Sequence, residues 1–133
     1  MSYASFRARM YADRTGQFIS SCEWSRLMRA EAYWRVDETT VGRYWVSTVW
    51  LGTNANAHFN APPLIFETMI KTSHRDDDSG TFMDYQVRYE TEAQAKIGHV
   101  AAIEYAKALM EERVVEDFKS VIAAALAQAQ LPP

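Results

Sequence analysis

The segment Tyr44–Leu51 reads YWVSTVWL, an unbroken run rich in β-branched and aromatic residues. Alternation puts Tyr44, Val46, Thr48 and Trp50 on one face and Trp45, Ser47, Val49 and Leu51 on the other. Both faces are mostly apolar, which predicts a central strand covered on both sides. Leu64–Lys71, LIFETMIK, predicts a second strand, with Leu64, Phe66, Thr68 and Ile70 opposite Ile65, Glu67, Met69 and Lys71. Phe82–Tyr89 alternates more cleanly. Met83, Tyr85, Val87 and Tyr89 form its apolar side and Asp84, Gln86 and Arg88 its polar side, the pattern of a strand with one face in water. Tyr33–Val41, ending at Gly42, is a further strand. The stretch Thr72–Thr81, with Asp76, Asp77, Asp78, Ser79 and Gly80, is a polar hairpin loop.

The period lengthens on either side of this block. Trp24, Leu27, Met28 and Glu31 recur at spacings of three and four, which predicts a short helix over about Cys22–Ala32 capped by Ser20 or Ser21. Thr91-Glu92-Ala93-Gln94 matches a capping box and opens the longest element. Its first stripe is Ala95, His99, Ala102, Ile103, Ala106, Leu109, Met110 and Val114, and a second runs through Val114, Phe118, Val121, Ile122 and Ala125. One helix over 91–128 would be about 57 Å long at 1.5 Å per residue, longer than a domain of this mass is wide. The helix is therefore expected either to break near Glu111–Asp117 or to project and pack on another chain. Val114, Phe118, Val121 and Ile122 are the interface candidates, and an antiparallel homodimer is the expected assembly.

Together these elements predict an α+β fold: an antiparallel sheet of about four strands, a long C-terminal helix packed on one face, and a short N-terminal helix. Residues 1–133 read as a single domain, with 1–19 a weakly structured lead-in and 114–133 a helical extension. Hydrophobic residues make up 48% of the chain, which argues against disorder. The net charge of −3 and the lack of a basic run give no electrostatic footprint for nucleic acid. A single cysteine, Cys22, cannot form an intrachain disulfide and fits a reducing cytoplasm. No apolar stretch reaches the roughly 18 residues of a membrane span, and no signal peptide is evident.

Candidate chemistry is sparse. The loop Gly52–Pro63 supplies Asn54, Asn56, His58 and Asn60, neutral donors and acceptors suited to a ligand or partner, or to a plain surface turn. Glu67 sits inside an apolar strand, either as a buried base, or paired with Arg88, Arg43 or Lys71 on a neighbouring strand, or meeting solvent. His58, His74 and His99 lack metal-site spacing, and His99 on the apolar stripe reads as a hydrogen-bonded core residue. No cofactor, metal or catalytic residue is expected.

Val46-Ser47-Thr48-Val49-Trp50-Leu51-Gly52, Pro62-Pro63-Leu64-Ile65-Phe66-Glu67-Thr68-Met69, Arg88-Tyr89-Glu90-Thr91-Glu92-Ala93 and Gly98-His99 follow in this order. Over about residues 33–105 the chain resembles a small, functionally uncharacterised family of bacteriophage and prophage proteins. Where relatives carry an Asp-His pair soon after the Leu-Gly, this chain has Thr53-Asn54, with His58 further on. The resemblance implies a phage setting. The expectation is then a non-enzymatic accessory protein that binds a host protein, such as a component of an antiviral defence. The alternatives are a binder of a small nucleotide-like molecule and a small enzyme using Glu67 and His58.

Overall fold

A computed structural model describes residues 2–56, 61–72 and 82–129. The fold is α+β. Among the described residues β1 (Arg35–Val41), β2 (Tyr44–Trp50), β3 (Phe66–Lys71) and β4 (Phe82–Tyr89) form an antiparallel meander in that order. Helices α1 (Tyr3–Ala8), α2 (Ser21–Met28) and α3 (Glu31–Trp34) precede the sheet, and α4 (Glu92–Ala129) follows it. The capping box forms as expected: Gln94 N–H donates to Thr91 Oγ1 at 3.1 Å, and Gln94 Oε1 accepts from the Thr91 N–H at 3.3 Å.

The core between sheet and α4 is layered. β2 and β3 pair so that Trp50 faces Phe66, Thr48 faces Thr68 and Val46 faces Ile70. On α4, Ala95, His99, Ala102 and Ala106 are buried at spacings of four, three and four, so they line one stripe of the helix. Small residues there let the helix lie close on the sheet. Trp50, Ile65, Phe66, Ala12 and Ala95 make one apolar cluster. Tyr44, Val46, Ile70, Ala102 and Ala106 make the other. Between them lies a polar layer of Thr48, Thr68 and His99.

Two N-terminal expectations change. The helix expected over Cys22–Ala32 ends at Met28, because Ala30 is extended (φ −108°, ψ 102°), and a separate turn restarts at Glu31. Ser20 caps α2 by accepting from Glu23 N–H at 3.2 Å. Residues 2–19, expected as a lead-in, contain α1 and the bridges Tyr11↔Thr53 and Ala12↔Phe18. Ala12 is fully buried, and its carbonyl accepts from Trp50 Nε1 at 3.0 Å. A buried indole N–H needs such a partner, and the partner's distance along the chain hides it from local periodicity.

The α4 helix runs unbroken for 38 residues. Glu111–Asp117 contains neither Gly nor Pro, so nothing stops the helix there. It does not turn back over the second face of the sheet. That face is shielded by Trp34 and by its own long side chains, and Trp45 on it is only half-buried while Trp50 is fully buried.

Candidate functional site

The loop after β2 is built by its own asparagines. Gly52 has φ +72°, and a Cβ there would sit 2.5 Å from atoms of both Trp24 and Trp50, so the two indoles pack where a side chain would be. Asn54 is buried. Its Nδ2 donates to Arg9 O at 2.8 Å, its N–H donates to Met10 O at 2.9 Å, and its Oδ1 accepts from Asn56 N–H at 2.8 Å. Asn56 Nδ2 donates to Pro62 O at 3.1 Å, and Arg9 Nη2 donates to Ala61 O at 3.0 Å. These asparagines are engaged with backbone, pinning the N-terminal segment to the loop. His58 and Asn60 lie outside the described residues, as do His74 and the aspartate run 76–78.

Glu67 lies on the sheet face away from α4. Gln86 Nε2 donates to its Oε2 at 2.7 Å, and Arg88 Nε lies 3.2 Å from the same oxygen. Arg88 is one of the partners read from the sequence; the register places it directly across the ladder from Glu67. Beside it is a shallow hollow of about 180 Å³ lined by Trp34, Trp45, Val49, Met69 and Phe82, with Arg35, Ser47 and Glu67 as its polar members. The Arg35 guanidinium lies 4.7 Å from the Trp34 ring centroid and 5.3 Å from that of Trp45, and donates to Ser47 Oγ at 2.6 Å. All three polar members are already partnered within the chain.

The polar layer of the core was not legible as a unit. His99 Nδ1 lies 2.7 Å from Thr48 Oγ1 and Nε2 lies 2.9 Å from Thr39 Oγ1, so a neutral ring donates through one nitrogen and accepts through the other. Thr48 Oγ1 and Thr68 Oγ1 are 2.6 Å apart, and Tyr89 Oη donates to Thr68 at 3.2 Å. Burial holds the His99 pKa below its ordinary value, while Asp37, 3.7 Å from Nε2, pulls the other way. Asp37, His99 and Thr48 stand in the order acid, imidazole, hydroxyl. Yet Thr48 and His99 are buried and the hydroxyl is held by Thr68, so the arrangement orders a core rather than meeting a substrate. A signal did exist in Gly98: the Tyr89 hydroxyl occupies the space of its missing Cβ.

Beyond Met110, α4 leaves the body. Residues 111–128 are all exposed. Val114, Phe118 and Val121 are 63–67% exposed and Ile122 44%, with Val115 and Leu126 alongside. An apolar hollow of about 430 Å³ lies where this arm begins, lined by Met110, Glu111, Val114 and Val115. Among the described residues no group of three His, Cys, Asp or Glu side chains could hold a metal ion, and no helix is long and apolar enough to cross a membrane. No family model, curated protein or solved structure matches the chain.

Proposed function

We propose that this chain is a binding protein whose docking element is the projecting half of α4, and that it acts by association rather than catalysis. The observation that carries this is the arm's exposed apolar stripe. Burying one Val, Leu, Ile or Phe side chain is worth about 1.5–3 kcal/mol, so a stripe with six of them gains several times that on finding a partner. Contiguous apolar surface of this kind marks interaction sites. The resemblance to phage proteins supports a setting in the cytoplasm of an infected bacterium, with a host protein, such as an antiviral defence component, as a target. A nucleotide-like ligand has less support at the places the sequence offered, because Asn54 and Asn56 are engaged with backbone. The aromatic hollow beside Glu67, at about 180 Å³, is smaller than the usual ligand pocket of about 300–1,000 Å³.

The test is affinity capture from infected cells with the wild type and with the Phe118→Glu/Ile122→Glu variant. Both residues are exposed, so the variant is expected to keep the wild-type circular dichroism spectrum. Proteins held by the arm are expected to vanish from the variant capture. An identical set of captured proteins would remove the arm as the docking element.

A further inference from the structure

We propose that one occupant of the arm is a second copy of this chain, paired antiparallel about a two-fold axis between Val121 and Ile122. The proposal rests on the reading of the arm as a docking element and names its partner.

Size along the stripe is the first argument. Large side chains crowd the end near the body and alanines the far end, with Val114, Val115 and Phe118 followed by Ala123, Ala124, Ala125 and Ala127. With the axis between Val121 and Ile122, Phe118 lies level with the partner's Ala125, and Val121 level with the partner's Ile122. Away from the axis large faces small, Phe118 against Ala125 and Val114 against Ala129, and only the central Val121–Ile122 level pairs two large side chains, which holds the helices at the usual separation of about 8–10 Å. A parallel pair would set Phe118 against Phe118 and Ala125 against Ala125, crowding one layer and hollowing another.

Charge points the same way. The first part of the arm carries Glu111, Glu112, Glu116 and Asp117 against Arg113 and Lys119, while residues 120–129 carry no charge. A parallel pair would bring the two acidic segments together. The antiparallel pair lays each beside the partner's uncharged segment, and like-charge juxtaposition is avoided.

The geometry of the body permits it. Residues 111–129 span about 28 Å, and the axis falls about 17 Å beyond Met110, so the two bodies stand at opposite ends of the pair. In this register position 129 of the second copy lies level with Val114. The far end of each arm therefore falls beside the partner's apolar hollow at Met110, Val114 and Val115. The same surface serves both copies, as a two-fold interface requires.

The register sets a distance that pulsed electron paramagnetic resonance can read. Lys107 is exposed on α4, and Cys22, the only native cysteine, is removed as Cys22→Ser. A spin label at Lys107→Cys is expected to give a pair distance of about 44 Å, twice the rise from position 107 to the axis at 1.5 Å per residue. Phe118→Glu in the same background is expected to abolish the signal. A distance below about 25 Å would mean a parallel pair and overturn the proposal. Absence of any dipolar signal at 100 μM (roughly the scale of a weak dimer) would exclude the second copy. If proteins were still captured through Phe118 and Ile122 in that case, the arm would remain a docking element with another occupant. A 44 Å signal that survived Phe118→Glu would place the interface elsewhere and overturn both readings.

Discussion

Replacing Gly98 by alanine sets two effects of opposite sign against each other. In an isolated helix the change is favourable by about 1 kcal/mol, because glycine loses more backbone freedom on ordering. Here the new methyl would overlap Tyr89 Oη and Cζ, atoms of a rigid ring. The ring must move, and overpacking of this kind costs about 1–3 kcal/mol. Moving it also breaks the Tyr89–Thr68 hydrogen bond, worth about 0.5–1.5 kcal/mol net. The losses exceed the gain, leaving Gly98→Ala destabilised by about 2 kcal/mol. Urea unfolding followed by tryptophan fluorescence reads this as a midpoint lowered by about 1 M at unchanged slope. In a Tyr89→Ala background the ring is gone, and Gly98→Ala is then expected to stabilise by up to about 1 kcal/mol. A raised midpoint in the otherwise wild-type protein, or an equal cost in both backgrounds, would refute the close approach of helix and tyrosine.

Other outcomes follow from the core and the loop. His99 has a folded-state pKa below its unfolded value of about 6.5, so the unfolded chain takes up its proton first as the pH falls. The stabilisation from a neutral His99 is thus complete above about pH 6.5 and shrinks below it. Between pH 7 and 5 the wild-type urea midpoint should drop more than that of His99→Gln, and equal slopes would contradict a neutral buried ring. Trp50→Ala, which empties a fully buried site, is expected to cost about 3–5 kcal/mol. Trp45→Ala, half-buried on the other face, should cost less; equal midpoint shifts would mean that Trp45 is packed as fully as Trp50. Asn54→Ala removes a donor to Arg9 O and an acceptor for Asn56 N–H, at a cost of about 1–3 kcal/mol in thermal or urea unfolding. No measurable loss would leave that side chain available for a partner.

Local chemistry along the chain determined the elements. The YWVSTVWL run, the alternation through Phe82–Tyr89 and the Thr91/Gln94 capping box act over a few residues, and the β4 bounds and the cap geometry match the pattern. The α+β class follows from their order. Contacts between distant segments were decided only by the tertiary structure. Ala12 became core because Trp50 Nε1 needed an acceptor, and Asn54 became a clamp because the loop closes on Arg9 and Met10. His99, Thr48 and Thr68 became one hydrogen-bonded layer because strand pairing and the α4 stripe bring them to the same height. The choice between a broken helix and a projecting one also lay beyond the local pattern. Periodicity shows that Val114, Phe118, Val121 and Ile122 share a face, but only the dimensions of the folded body show that the face extends past it into solvent.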